Sequence, residues 1–529
     1  MMVRLDAWWR WGLGLLVLAG SGAMAQTSVK VSGFQVTGNT LLKQAAVDAV
    51  LLPMIGQRSI EDLRRAAAAV QALYAAEGYG AVVAYVPPQS GQDGIVTIAV
   101  VEGKLASVKV SGARRLSEQR IKDALPALVP GETPRISHID AQLRMANENP
   151  ARQLQLLLQP GQKSGEAEAR IAVEEQPVQR FSVGLDNTGN SRTGDYRASL
   201  GWQHADLSGH DDVLSAQLQT SPTEPKLVKV FSAGYRLPLY RQRMAIDVFA
   251  GYSDVEGGAT QTIAGDLNFN GRGRVLGTRA GWYLPRWGEF DQRVALGLDH
   301  RAYLNRCTIA GLGSSVCGPA GESVTVHPLS LEYSAQAGGQ TALGLSVSLN
   351  GNLQLGGQNT GAASFEAVRP GAKPGYTALR FGLNGSTTVA EDWSMRGRIT
   401  GQLTRDGLVP GEQFGIGGAS SVRGYEEREL VGDNGAFASF ELGSPSLLGQ
   451  PSAARLSLLA FADAAYVANQ LDTPCLEDRA RCSLASLGIG ARFGLGSLQA
   501  RLDVAYALKS AARTQRGDAK AHFAVNYGF

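Results

Sequence analysis

The sequence has 529 residues with 50 Lys and Arg against 47 Asp and Glu, a formal charge of only +3. That balance excludes a nucleic-acid binder held by electrostatics, which carries a marked basic excess, and an apolar fraction of 44% excludes wholesale disorder. A mean hydropathy slightly below zero argues against a helical membrane protein, while 65 glycines and 18% charged residues leave room for outer-membrane barrels, whose alternating strands hide from hydropathy averages.

The N-terminus reads as an export signal. Arg4 and Arg10 flank a short basic segment, Trp11 to Gly20 form an apolar core, and Ala23-Met24-Ala25 supplies the small-x-small pattern of a signal-peptidase site. The apolar run is about half the length of a membrane span. Residues 1–25 are therefore expected to be a cleaved signal peptide.

Residues 29–103 read as β-α-α-β-β. Val29 to Thr37 alternates loosely and ends at the turn signal Gly38-Asn39. Leu42, Ala46, Ala49 and Val50 follow helical spacing. A second helix opens at Ser59 with Asp62 three residues on, a capping-box start. Its predicted inner face is Ile60, Leu63, Ala67, Val70 and Tyr74, and Gly78 closes it. Strands follow over Tyr79 to Val86, stopped by Pro87-Pro88, and over Gly94 to Glu102.

The same order recurs over 104–175. Val108 to Ser111 is a strand, Ser117 opens a helix, Ser137 with Asp140 repeats the Ser59/Asp62 start, and Leu154 to Leu158 and Ala169 to Glu174 are the closing strands. Such an internal repeat predicts two small α+β modules in series.

From Gln179 onward the period becomes two. Phe181-Val183-Leu185, Tyr196-Ala198-Leu200-Trp202, Ile246-Val248-Ala250-Tyr252, Val294-Leu296-Leu298 and Phe523-Val525-Tyr527-Phe529 alternate with small or polar residues, as suits strands between lipid and a wet lumen. At about 20–22 residues per strand and connection, the region predicts about sixteen strands, an even number as such barrels require. A soluble sandwich shows the same alternation, but one of this length would split into domains, and closure removes the sheet edges that would aggregate. Phe529, on a terminal alternating strand, resembles the C-terminal signal of bacterial outer-membrane barrels. The expected fold class is mainly β: a 16-stranded antiparallel transmembrane β-barrel over 179–529, preceded by two small α+β domains over 29–103 and 104–175.

Reactive chemistry is sparse. Cys307 and Cys317 bracket one short loop and Cys475 and Cys482 another. These spacings do not match the C-x2-4-C pairs of zinc sites, so two local disulfides are expected from proximity in an oxidising compartment. With six histidines and no HExxH, GxSxG or P-loop pattern, neither catalysis, a metal, a cofactor nor a nucleic-acid partner is expected.

Several motifs, in order, carry a family resemblance. Val36-Thr37-Gly38-Asn39-Thr40, Tyr74, Gly78-Tyr79, Tyr85-Val86-Pro87-Pro88-Gln89, Asp93-Gly94-Ile95-Val96 and Val101-Glu102-Gly103-Lys104-Leu105 resemble the first POTRA domain of the two-partner secretion transporters. These are the haemolysin-activating and filamentous-haemagglutinin exporters. Residues 104–175 resemble their second POTRA domain, and Asp186-Asn187-Thr188-Gly189 with Thr193-Gly194 is similar to the start of their barrel. The sharpest match is GEQFGIGGASSVRGYEERELVGDNGAFASFEL, Gly411 to Leu442. Its centre, Gly417-Gly418 and Ser421-Val422-Arg423-Gly424-Tyr425, resembles the tip of the long sixth loop that folds back into the lumen in this superfamily. Phe461-Ala462-Asp463 resembles the wall motif whose Asp holds the loop arginine, and Ala465 stands where the family usually carries glycine.

The resemblance implies a sixth loop near 405–440, fixed in the lumen by a forked pair of Arg423 with Asp463, with the glycines allowing sharp turns and close approach. It implies an outer-membrane protein with periplasmic POTRA domains that exports one large β-rich exoprotein, such as an adhesin or haemolysin, in unfolded form. Outer-membrane lipid and, during biogenesis, the barrel-assembly machinery are the other implied partners. The alternative is an outer-membrane assembly insertase, which shares the loop and usually has more POTRA repeats; a passive porin would have neither. Client capture is expected by pairing with an exposed sheet edge, at Tyr79 to Val86, Gly94 to Glu102 or Ala169 to Glu174, or in an apolar groove beside Leu63, Val70 and Leu73. Relatives often plug the barrel with an N-terminal helix. Gln26, Thr27 and Ser28 leave no room for one after the expected cleavage site, so the sixth loop alone is expected to close the pore, or the resting channel to leak.

Overall fold

The computed structural model describes residues 28–529 apart from 90–92, 164, 192, 263–264, 306–318, 320, 390–391, 450–451 and 472, with backbone only over 256–270. The expected signal peptide and the Cys307/Cys317 pair lie outside the described residues. The chain divides into two compact units at Gly103/Lys104.

The first unit contains β1 (Ser28–Val31), β2 (Gly33–Thr37), α1 (Gln44–Leu51), β3 (Gly56–Ser59), α2 (Ile60–Ala76), β4 (Val82–Tyr85) and β5 (Ile95–Glu102). The run expected as one strand breaks at Ser32, whose amide bonds the Gly94 carbonyl at 2.6 Å. That break lets β1 pair antiparallel with β3 while β2 pairs in parallel with β5, giving a sheet of order β2-β5-β4. α2 starts at a full capping box: the Asp62 amide donates to Ser59 Oγ and the Ser59 amide to the Asp62 carboxylate. Leu63, Ala66, Ala67, Val70 and Tyr74 form its buried stripe, Leu63 against Val31 and Val96 and the others over Val82, Ala84, Ile98 and Val100. Ile60, expected on that stripe, lies at its margin in the first turn and is 55% exposed. The buried residues of α1 are Val47 and Leu51, one position off the expected phase. Leu42 does not set that phase because it belongs to the preceding turn, where its amide bonds Asn39 Oδ1.

The second unit begins with β6 (Lys104–Ser111), α3 (Glu118–Asp123), α4 (Ile136–Asn147), β7 (Arg152–Pro160) and β8 (Glu166–Glu175). The sheet order is β6-β8-β7, again with the outer first strand parallel to the central last one. Its core is Leu105, Ile121, Leu125, Ile139, Leu154 and Ile171. Ser117 caps α3 as expected. The Ser137/Asp140 start does not form: α4 begins at Ile136 with no side-chain cap, and Asp140 instead pairs with Arg144 one turn on. In both sheets the last strand is central. Gly94 to Glu102 and Ala169 to Glu174 are therefore not free edges, and the edges are β2 and β4, and β6 and β7. Leu63 and Val70 are core residues, not groove lining.

The barrel follows: β9 (Gln179–Asp186), β10 (Arg197–Ala205), β11 (Val213–Thr220), β12 (Val228–Leu239), β13 (Met244–Thr262), β14 (Gly265–Trp287), β15 (Phe290–Leu304), β16 (Val324–Val326), β17 (Pro328–Ala337), β18 (Thr341–Asn352), then, after the short helix α5 (Ala362–Val368), β19 (Thr377–Thr388) and β20 (Ser394–Thr404). A small hairpin, β21 (Phe414–Ile416) and β22 (Leu430–Gly432), precedes β23 (Asn434–Gly443), β24 (Ala454–Ala468), β25 (Arg481–Leu495), β26 (Leu498–Ala507) and β27 (Ala519–Gly528). β16 and β17 are two pieces of one stave, broken at His327 and both paired with β15, so the closed antiparallel barrel has the expected sixteen staves. Leu200, Leu218, Leu331 and Ile489 point outward and are exposed, while the alternate positions Asp299, Gln402, Asp463 and Asp503 are buried on the lumenal side. This inversion of the usual inside and outside is what a lipid-embedded barrel requires.

Closure is made by β27 against β9 over five residue pairs, from Ala524↔Asp186 to Gly528↔Ser182. Phe181 and Phe529 extend it with two backbone bonds of 2.9 Å and stacked rings 5.8 Å apart. The second α+β module is seated on the rim at the turns around β10 to β15. Arg152 forks onto Asp211 at 2.7 and 3.0 Å, Arg144 donates to the Leu284 carbonyl at 2.7 Å, and Ala141 and Met145 of α4 pack on Ala245 and Tyr283.

Candidate functional site in the barrel lumen

The segment between β20 and β23 is the sixth connection on the side of the barrel away from the α+β module, and the β21/β22 hairpin carries it into the lumen. Glycine is required at its tip. Gly417 and Gly418 have φ of +106° and +98°, and a Cβ on Gly417 would lie 2.6 Å from the Glu426 carbonyl. The turn is closed by the Gly418 amide on the Val422 carbonyl at 3.1 Å and by the Gly417 amide on Ser421 Oγ at 2.8 Å. Val422 and Tyr425 are fully buried against Phe437, Val467, Leu484 and Ala507. Ala465, which stands where the resembled family usually carries glycine, packs its methyl in this same cluster. The Tyr425 hydroxyl lies 2.9 and 2.8 Å from the carbonyls of Ala485 and Lys509.

Arg423 is the polar centre. Its Nε and Nη2 donate to the two oxygens of Asp463 at 2.7 and 2.9 Å, and its amide donates to the same carboxylate at 3.2 Å. Nη1 reaches Glu441 at 2.7 Å, Nη2 reaches Ser439 Oγ at 3.3 Å, and the guanidinium carbon sits 3.4 Å from the centre of the Phe461 ring. Asp503 lies 3.6 Å away and is itself bonded to Arg492. One loop cation therefore meets carboxylates from β23, β24 and β26, while Gly424, with φ of +93°, donates its amide to His522 of β27 at 3.0 Å. Arg423 and Asp463 are 5% and 2% exposed, so each depends on the other for compensation of its charge. The arrangement can fix a loop in one pose. No cluster of three or more metal-ligating side chains occurs among the described residues.

Two further anchors escaped the sequence reading. Glu412, on the descending arm, is 2% exposed and accepts from Arg301 and Arg380, both at 2.9 Å, and from the Tyr303 hydroxyl at 2.6 Å. Asp433, on the returning arm, is fully buried; it accepts from Arg369, which follows α5, at 2.9 Å, and from the amides of Leu408 and Gln470 at 2.9 and 2.8 Å. The only hint in the sequence is that Glu412 and Asp433 bracket the hairpin; their cations lie in distant segments. Cys475 and Cys482 are disulfide-bonded, in the connection that holds Gln470 beside Asp433. Phe529 lies at the β9/β27 seam, seven residues further along the chain than His522 of the same strand.

The chain is similar to known proteins over most of its length. The sequence profile described as haemolysin secretion/activation protein ShlB/FhaC/HecB matches residues 165–493, and that described as POTRA domain, ShlB-type, matches residues 29–103. The outer membrane transporter CdiB of Escherichia coli O6:K15:H31 is 24% identical over 494 residues, 90% of this chain and 79% of CdiB. The heme/hemopexin transporter protein HuxB of Haemophilus influenzae is 23% identical over 392 residues, 72% of this chain and 66% of HuxB. The solved structure of CdiB from Escherichia coli superposes with a TM-score of 0.78 at 20% identity, over 98% of this chain and 93% of that one.

Proposed function

We infer how this chain works from the premise that it belongs to the haemolysin secretion/activation protein ShlB/FhaC/HecB family. It is an outer-membrane transporter of two-partner secretion, with periplasmic POTRA domains and a sixteen-stranded barrel. Its client is one large secreted β-rich exoprotein, of the adhesin or haemolysin kind, whose secretion domain pairs with a free POTRA edge and then threads the barrel unfolded. Folding of the client outside the cell supplies direction, since no nucleotide-binding motif is present in the sequence. The chain is a transporter without catalytic activity of its own. Residues 1–25 are its signal peptide, 29–103 and 104–175 its POTRA domains, and 179–529 its barrel. Phe529 is the signal read by the assembly machinery, and lipid contacts the outward leucines.

The observation that carries the reading over the insertase is the match of residues 165–493 to the haemolysin secretion/activation family; its working part is the sixth loop pinned in the lumen by Arg423 on Asp463. Within the proposal, Val422, Gly424 and Tyr425 seat the tip, Gly417 and Gly418 turn it, Phe461 shields the guanidinium, and client passage requires this latch to release and re-form. Co-expression with the large secreted protein encoded beside this chain provides the test. Client in the medium only when the barrel is present is the expected result. Client export unaffected by depletion, with falling levels of other outer-membrane proteins, would replace this reading with the insertase.

A further inference from the structure

The lumenal arginines fall into two sets. Arg236, Arg279, Arg301, Arg380 and Arg423 each meet a carboxylate. On the wall formed by β20 and β24 to β26 the pattern differs: Arg396, Arg455, Arg492 and Arg501 converge on one cavity of about 590 Å³. Its remaining polar lining is neutral, from Ser457, Gln499 and Asn526, and no carboxylate lines it among the described residues. Arg492 is bonded to Asp503 at 2.8 Å. Arg396, Arg455 and Arg501 are exposed to the lumen and have no ion pair among the described residues. Ala453 and Gly496, at the turns on the α+β-module side of the barrel, also line the cavity, which places it at the periplasmic mouth. The docked α+β module engages the turns of β10 to β15 on the other side of the rim.

Three guanidinium groups without an ion pair among the described residues, on the low-dielectric wall of a cleft, focus a positive field where a polypeptide would enter. Their planar forks match carboxylates, and because strands hold them, little ordering is needed on binding. Five adjacent strands, from β20 through β23 to β26, spread the forks over about 19 Å at ~4.8 Å per strand. Same-face side chains of an extended chain recur about every 6.7 Å. That spread suits several carboxylates on one extended segment better than a single small anion.

We propose that this cavity is a receptor for an acidic, extended stretch of the exported polypeptide, with Arg396, Arg455 and Arg501 engaging its Asp and Glu side chains. The inference rests on the transporter reading above. Its test is the binding of fluorescein-labelled decaglutamate to the purified full-length protein in detergent micelles, followed by anisotropy. The wild type is expected to bind decaglutamate in a salt-sensitive way and decalysine not at all. The combined R396Q, R455Q and R501Q variant is expected to lose at least tenfold in affinity, while R396K, R455K and R501K together retain most of it. Arg64→Gln, on an exposed helix of the first unit, should change nothing. Heat-modifiable migration shows whether each variant is still a barrel. No binding by the wild type, equal binding of decalysine, or wild-type binding by the triple glutamine variant overturns the receptor. The assay needs no client, so absent export with intact decaglutamate binding overturns the transporter reading alone.

Discussion

Arg423 is the cation paired with the buried Asp463 and is shared with Glu441, so its loss leaves Asp463 without a counter-charge while Arg492 still neighbours Glu441 and Asp503. Arg423→Ala should cost about 3–5 kcal/mol of loop docking while the strands, whose backbone bonds it does not touch, still close. The expected outcome is an inserted, heat-modifiable barrel with impaired secretion; wild-type secretion would remove the role given to the latch. Because the pair is buried together, Arg423→Ala with Asp463→Ala should be less harmful than the sum of the two single changes. In the first unit, Glu102 is a residue of the same kind. Burial raises its carboxyl, but bonds from the Thr40 hydroxyl and amide, the Tyr74 hydroxyl and the Leu41 amide outweigh that and hold it below its ordinary value of 4.5. A depressed folded value means the stabilisation is full above pH 4.5 and is lost as pH falls through the folded value. Glu102→Gln should therefore lower the stability of the unit at pH 7 by about 1–2 kcal/mol and flatten its acid dependence. Urea titrations of residues 28–103 at pH 7 and 3 measure both, and an unchanged midpoint at pH 7 would contradict the bonding scheme.

At the scale of elements, the two α+β modules repeat a device invisible to hydropathy. Gly38 and Gly112 follow β2 and β6 with φ of +81° and +84°, and a Cβ on either would lie 2.1 or 2.3 Å from the carbonyl of Val100 or Val173. Two residues beyond those valines, Glu102 and Glu175 turn back to accept the amides of the loop after each glycine. Capping was legible where the cap is local: Ser59 and Ser117 act within three residues of their partners. Helix phase in α1 was not, because a turn at Asn39 claimed Leu42, and α4 began without the cap its sequence suggested. The sixth loop behaves likewise. Its tip could be read from Gly417, Gly418 and Arg423, yet the rails that hold its arms, Glu412 and Asp433, take partners from β15, β19 and the segment after α5. Glu412→Ala removes the carboxylate that joins the descending arm to Arg301 and Arg380, leaving Arg301 only its pair with Asp299. Trypsin should then cut the outer loops of intact cells several-fold faster than in the wild type, and equal cleavage rates would show that Glu412 does not restrain the loop.

For the whole molecule, the shortest junction is the closing one, five residue pairs between β27 and β9 against fifteen between β24 and β25. Phe529 adds two backbone bonds and a stacked ring on Phe181 at that seam. Phe529→Ala should reduce the heat-modifiable, folded fraction in the outer membrane at least twofold; an undiminished fraction would show that the aromatic end contributes nothing to closure. The number of staves followed from chain length divided by strand period, since lipid thickness fixes strand length and edge pairing demands closure. The outward leucines followed from the two-residue period for the same reason. Those are local or counting constraints, and the sequence by itself determines them: two modules, a barrel, a glycine-tipped loop with its arginine. Sheet order inside the modules, the seat of the second module on the barrel rim, the anchors of Glu412 and Asp433, and the cluster of arginines at the periplasmic mouth are decided only by the tertiary structure. Each joins residues far apart in the chain, and closing a barrel brings them together in an order that no local period encodes.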